Sequence, residues 1–419
     1  YTLSLHDALP IYFDASGYDI LTNITLEQAK QQSHELRFEY SQANWNMLLG
    51  GYYSSEQIDR KELRILGTDS IFSPLNGGQP SRLDFTSDFD VQSLAVFGQF
   101  NWAITDSLDL TLGLRQSKDE KQSRLISVND LTVTAQALLQ GTVEEYDVSL
   151  EDEWGSLDTL LSLSWNVLDD TMLYATLSSG YKSGGFQFLA LTEDNARQIL
   201  EPEFVDNYEF GVKSTLFDNR LRSNIAIFQM DYTNLQVLTF DSTNLIPVTV
   251  SENAAESRIK GVELELEAAL SANWLMTVGY SYLDTEYDDY LQDPNDPSTQ
   301  RAGNEMPNAP KNTATVGLNY SVDIGDGELM AGLRVSWKDS FFWEPDNNRP
   351  RRDQKEPELT KVDANIGYRH GAYYINLWGT NLTNKVYRSF NIDFGEDTIN
   401  FDVFAPPRMV GLQLQYTWQ

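Results

Sequence analysis

The feature that most constrains this chain is the spacing of its apolar residues, which recur at every second position from about residue 34 onward. Successive side chains of a β-strand point to opposite faces, so this period marks strands with one apolar face. No segment carries a convincing helical period, and the chain reads as all-β. In one stretch Val262, Leu264, Leu266 and Ala268 face one way while Glu263, Glu265 and Glu267 face the other. Residues 313–324, 332–341 and 410–418 alternate in the same manner, and weaker versions cover 35–41, 43–53, 91–104, 107–118, 155–167, 171–182, 204–217, 220–235, 273–285, 359–369 and 372–380. With the ambiguous stretches 121–128 and 142–149, this gives about 16 strands of roughly 10 residues, near the length a tilted membrane-spanning strand requires.

The connections sharpen the reading. Short turns rich in Asp, Asn and Gly fall at 105–107, 168–170, 218–219, 271–273, 325–327 and 370–371, while long polar connections fall near 118–152, 184–203, 237–256, 286–309, 340–358 and 390–407. Tight on one rim and long on the other is the pattern of an outer-membrane barrel, with short periplasmic turns and long extracellular loops. Trp102, Trp165, Tyr174, Tyr181, Trp274, Tyr280, Tyr282, Tyr373, Tyr374, Trp378 and Trp418 cluster near strand ends, as interfacial aromatic girdles would. The alternative is a soluble β-protein in which Glu263, Glu265 and Glu267 are a solvated face.

Composition fits the membrane reading once averages are set aside. The mean hydropathy is −0.40, and no run approaches the roughly 20 apolar residues of a membrane helix, but a barrel hides its hydrophobicity by alternation. The 419 residues carry 62 Asp+Glu against 30 Lys+Arg, a net charge of −32, which excludes nucleic-acid binding as a main role. The absence of cysteine excludes disulfide scaffolds, thiolate metal sites and cysteine nucleophiles. Residues 1–11 lack the features of a signal peptide and resemble a translated sequencing adapter, so they are set apart as a non-native or disordered leader, leaving 12–419 as the folded portion.

Several stretches resemble the barrel of TonB-dependent outer-membrane receptors. They are LYATLSSGYKSGGF (173–186), EPEFVDNYEFGVKS (201–214), NAAESRIKGVELE (253–265), GYSYLDTEY (279–287), PNAPK (307–311), NLTNKVY (381–387) and the terminal APPRMVGLQLQYTW (405–418). The resemblance covers about residues 34–418. It implies a 22-stranded antiparallel transmembrane barrel, of which about 16 strands are expected here, with a plug domain and a TonB-contacting box that this sequence does not show. It further implies outer-membrane location, contact with outer-membrane lipid and lipopolysaccharide, and active import of a scarce ligand with energy from TonB. A ferric siderophore or other iron chelate is the expected cargo, with cobalamin, nickel chelates or an oligosaccharide, a passive channel, and a surface-binding barrel as alternatives.

The residues themselves carry no sign of an enzyme, and no catalytic residue, cofactor or metal site is expected. Phosphate loops, nucleophile elbows and HExxH motifs are absent, and His370 lies in a tight turn. The candidate ligand site lies in the loops: Arg349, Arg351 and Arg352 form the one dense basic cluster, beside Phe341, Phe342 and Trp343. With Lys182, Phe186 and Phe188 from another loop they would attract an anionic chelate, because guanidinium forks bind anionic oxygens in pairs. Two other readings stand beside this one: lipopolysaccharide phosphates, or pairing with Asp346, Asp353 and Glu356. Asp284, Glu286, Asp288, Asp289, Asp293 and Asp296 make an acidic loop that could hold Ca²⁺, although it lacks the glycine of an EF-hand loop, and a solvated acidic loop is the competing reading.

Overall fold

The computed structural model describes residues 2–5, 11–12, 19, 21–70, 73–132, 143–241, 248–292, 296–347, 355–393 and 400–418. Fifteen long strands carry it: β1 (Leu21–Ser41), β2 (Trp45–Leu66), β3 (Ser81–Thr105), β4 (Leu108–Asn129), β5 (Tyr146–Leu168), β6 (Thr171–Lys182), β7 (Glu203–Leu216), β8 (Leu221–Asp241), β9 (Val248–Ala269), β10 (Trp274–Asp289), β11 (Asn312–Ile324), β12 (Gly327–Lys338), β13 (Leu359–His370), β14 (Tyr373–Thr380) and β15 (Met409–Tyr416). Each pairs antiparallel with the next in chain order. Two short pieces, Thr2–Leu5 and Ile11–Tyr12, pair along the other edge of β1. The seventeen strands thus form one sheet sixteen places across. Among the described residues no ladder joins β15 back to β1, so the sheet is open.

Tight turns alternate with longer connections along the fifteen strands, the shortest of the latter being the six residues between β8 and β9. The tight ones use residues that tolerate a left-handed backbone: Asp218 and Asn219 sit at φ 54° and 63°, Gly325 at 61° and Gly371 at 56°. Strand length is where expectation and structure part. The stretch 121–128 is not a separate strand but the outer part of β4, and residues 146–149 of the stretch 142–149 are the outer end of β5; residue 142 lies outside the described residues. Likewise the connections read at 118–152 and 237–256 are mostly strand. β1 to β5 run for 21 to 25 residues, and β8 and β9 for 21 and 22. β6 and β7 have 12 and 14, and β14 and β15 only 8 each. The wall is therefore crenellated on its long-loop side, with two tall sections and two low ones.

Register separates the two faces. On one face an apolar band crosses every strand, in rows such as Leu49–Gly98–Leu114, Phe210–Ile227–Val262–Tyr282 and Ile366–Leu377–Leu412. Its side chains are open to the outside: Leu114 is 59% exposed, Leu412 63% and Leu414 69%. The other face carries Arg115, Glu209, Glu263, Glu265, Arg334, Asp363 and Asn376, polar side chains that line the lumen. At the short-turn rim the outward face ends in aromatic contacts, Trp45 with Tyr40 at 5.4 Å, Trp274 with Tyr320 at 4.6 Å, and Tyr416 with Tyr373 at 4.9 Å and Trp418 at 4.8 Å. Not every terminal aromatic belongs to this girdle. Tyr174, Tyr374 and Trp378 face the lumen, where their rings cover the cross-strand glycines Gly211, Gly367 and Gly411.

Candidate functional site

The low sections of the wall are where the loops go. Between tall β5 and tall β8, strands β6 and β7 stop short, and the connection 183–202 fills the notch. It forms a small ladder, Gly185–Phe186 against Ile199–Leu200, and one helical turn at Glu193–Ala196 capped by Thr192. Leu189, Ala190 and Leu191 are buried against Leu66, Leu83, Phe85, Leu125, Tyr146 and Val148, apolar residues on the inner face of the outer ends of β2 to β5. Three side chains of those strands hold its carbonyls: Ser87 Oγ donates to Phe188 at 2.7 Å, Tyr146 OH to Ala190 at 2.6 Å and Lys121 Nζ to Gly184 at 2.6 Å. Burial pushes the Tyr146 hydroxyl up and Lys121 down from their ordinary ranges.

The far side of the same loop is fastened to the second tall section. Gln187 is almost fully buried, and its amide completes a rung with Ser251, donating from Nε2 at 2.6 Å and accepting at Oε1 at 3.0 Å. Asn253 Nδ2 donates to the Glu201 carbonyl at 2.9 Å, and Gln236 Nε2 donates to the carbonyls of Ser183 and Glu201 at 3.0 Å each.

Over the second low section, β11 to β15, the loops hold one another. Asn308 N donates to the Phe342 carbonyl at 2.8 Å, Asn304 Nδ2 to Pro345 at 2.8 Å, and Glu305 N to Asn347 Oδ1 at 2.6 Å. Arg301, 7% exposed, pairs with Asp346 at 3.4 Å. Buried Glu356 accepts from Arg388 Nε at 2.7 Å and from Trp343 Nε1 at 3.3 Å, which ties connection 339–358 to the ribbon of Arg388–Asp393 and Asn400–Phe404. Tyr290 links this group to tall β9, donating to Glu252 at 2.6 Å; burial and that carboxylate raise its pKa.

Of the residues singled out in the sequence, Arg349, Arg351 and Arg352 lie outside the described residues, as do Asp293 and Asp353. The aromatics prove to be the footings of two loops. Phe341 and Trp343 are buried, their rings 5.0 Å apart, with Lys338 Nζ 4.5 Å from the Phe341 ring; Phe342 lies under Lys355 at 4.8 Å. Phe186 packs on Trp154 at 5.8 Å, and Arg60 stacks on Phe188 at 5.1 Å. Lys182 stands at the mouth of the notch, its side chain 60% exposed and 4.0 Å from Glu203. The two groups rise from sections of the ladder separated by β8 to β11. Asp346 and Glu356, read as partners for the arginine cluster, pair with Arg301 and Arg388. Neither of those arginines stood out in the sequence, because each meets its partner across more than thirty residues of chain.

The acidic loop also resolves into separate tasks. Asp288 pairs with Arg258, Asp284 lies 3.8 Å from Lys311, Asp289 accepts from Gln300 at 3.0 Å, and Asp296 caps the turn Pro297–Thr299. Among the described residues no group of three or more His, Asp or Glu converges as a metal site.

The chain's likeness to known proteins agrees with this architecture. It is 28% identical to the probable TonB-dependent siderophore receptor PiuA of Acinetobacter baumannii over 372 residues, 86% of this chain and 46% of that protein. It is 23% identical to the pesticin receptor of Yersinia pestis over 318 residues, 76% of this chain and 43% of that protein. The chain thus spans about half the length of the curated relatives it matches. The crystal structure of the ferric yersiniabactin uptake receptor FyuA from Yersinia pestis matches with a TM-score of 0.76 at 19% identity, covering 94% of this chain and 55% of that one, which shows the fold. The family described as TonB dependent receptor-like, beta-barrel, matches residues 4–402. The crenellated antiparallel wall, its apolar outward band and this match establish that the chain belongs to the TonB-dependent receptor family of outer-membrane β-barrels.

Proposed function

We propose that residues 12–419 are the C-terminal part of the barrel of an active-transport receptor that captures an anionic iron chelate, in the manner of a ferric siderophore, and passes it inward with energy from TonB. Support comes from relatives named as siderophore and ferric-pyoverdine receptors and from the sequence, in which the one dense basic cluster of an acidic chain falls in the connection between β12 and β13. Arg349, Arg351 and Arg352 supply the charge that draws the chelate, with Lys182 at the end of β6 as a further cation. Phe341, Phe342, Trp343, Phe186 and Phe188 act beneath them, anchoring the two loops whose tips would meet the ligand. Receptors of this kind are not enzymes, and the reading assigns no catalytic residue or resident cofactor.

The test is binding of a panel of ferric siderophores to the full-length receptor and to the Arg349→Ala, Arg351→Ala, Arg352→Ala triple variant. Loss of three charge-assisted contacts at about 1.5 kcal/mol or more each predicts at least a hundredfold weaker binding. Unchanged affinity would remove these arginines from the site.

A further inference from the structure

The outer face of β2, β3 and β4 holds two depressions, one above the other, that the transport reading does not use. The lower lies within the apolar band. Its rows are Met47–Phe100–Leu112, Leu49–Gly98–Leu114 and Gly51–Val96–Gln116, and the absent side chain at Gly98 opens a groove of about 510 Å³ walled by Leu49, Val96, Leu114 and Leu157. One row higher stand Tyr53, Leu94 and Lys118. Above them, two consecutive rows, Ser55–Gln92–Glu120 and Gln57–Asp90–Gln122, line a cleft of about 230 Å³. Rows on one face are two residues apart, about 7 Å, so cleft and groove lie within reach of one amphiphile.

The chemistry of the upper cleft selects its occupant. Its lining is three side-chain amides, two carboxylates and a hydroxyl, a mixture of donors and acceptors suited to hydroxyl and amide groups. It offers little to a phosphate. Lys118, the cation at its lower edge, is held at 2.8 Å by both Glu120 and Glu153, and Arg124 beside its upper row is paired through two nitrogens with Asp147 at 2.9 and 2.7 Å. Gln57 Nε2 donates to Asp90 Oδ1 at 2.8 Å, leaving the second carboxylate oxygen for a ligand.

We propose that this strip is a docking site for a glycolipid of the outer leaflet, with an acyl chain in the groove over Gly98 and the sugar head hydrogen-bonded in the cleft above. The lipid contact is recognised through hydroxyl and amide groups rather than through phosphate. The site rests on the wall's place in the membrane and is independent of which chelate the receptor carries.

The experiment titrates hexa-acyl lipid A, its dephosphorylated form, its deacylated disaccharide and phosphatidylethanolamine into the full-length receptor in detergent, followed by native mass spectrometry. Lipid A and its dephosphorylated form should bind one to one with similar affinity, the free disaccharide and phosphatidylethanolamine much more weakly. Gly98→Leu should weaken lipid A at least about tenfold, the scale of one lost contact. A methyl at this position meets Leu49 Cδ2 at 2.9 Å, which can turn aside, and the Leu48 carbonyl at 3.5 Å, an ordinary contact. The double change Gln92→Leu, Gln122→Leu should do the same from the solvent-facing side, and it carries the test if the glycine variant does not fold. Ferric-chelate binding should be unchanged in both. Equal binding of phosphatidylethanolamine, loss of binding on dephosphorylation, full binding of the free disaccharide, or indifference to both variants would overturn the proposal.

Discussion

The two low sections of the wall are covered by loops held in opposite ways. Over β6 and β7 the connection 183–202 is seated mainly by burial, because tall β2 to β5 offer it an apolar inner platform of Leu66, Leu83, Phe85, Leu125 and Val148. Over β11 to β15 no strand stands tall, and the loops are held mainly by polar contacts with one another, centred on Glu356–Arg388 and Arg301–Asp346. A loop with a wall behind it can be seated by the hydrophobic effect; a loop without one needs a partner of matching charge. The first arrangement should be stable and nearly insensitive to salt, and the second should open as a unit when one ion pair is lost.

The largest expected effect breaks the first arrangement. Leu191 is 0% exposed, so Leu191→Asp would bury an unpaired charge, release 183–202 and admit protease cleavage within it; resistance to cleavage would mean that the apolar seat does not hold the loop. Glu356→Ala breaks the second arrangement by leaving Arg388 without its buried partner, at a cost of about 3 to 5 kcal/mol. Hydrogen exchange should then rise together in 339–358 and 388–404 while 183–202 stays protected. Gln187→Leu removes the rung to Ser251 and leaves backbone groups unpaired, which costs about 1 to 3 kcal/mol and should loosen only the β9 side of connection 183–202.

A pH titration separates the two regions further. Glu62, at the outer end of β2, is buried, which raises its pKa, but Arg64 and Arg60 outweigh that and hold it below its ordinary 4.5. Its contribution is therefore full above the unfolded value and is lost as pH falls through the lowered folded one. The outer end of β2 should gain exchange only as the pH falls below 4.5, and Glu62→Gln should abolish that dependence. Arg124→Ala on the exposed wall should leave thermal stability almost unchanged, since both it and Asp147 are half in water.

How far the sequence revealed this depends on where each residue stands relative to the lipid. Within the band the outward positions must be apolar and the lumen positions are polar, so the alternation of Leu110, Leu112 and Leu114 in β4 is legible without a structure. Above the band the outward side faces water, and the run from Lys118 to Lys121 looks like a loop although it is strand. The inner serines Ser117, Ser123, Ser127 and Ser156 hide the alternation further, being buried yet not apolar. The aromatics beside the arginine cluster were visible as a group, but their burial was not, because it depends on partners in other loops.

The central claim is that this barrel belongs to a receptor that imports an iron chelate with energy delivered through TonB. The most direct measurement is uptake of iron-55-labelled ferric siderophores by cells carrying the full-length gene, with and without a functional TonB. Saturable uptake that disappears without TonB is the predicted result, whereas uptake that persists without TonB and does not saturate would make the barrel a passive channel.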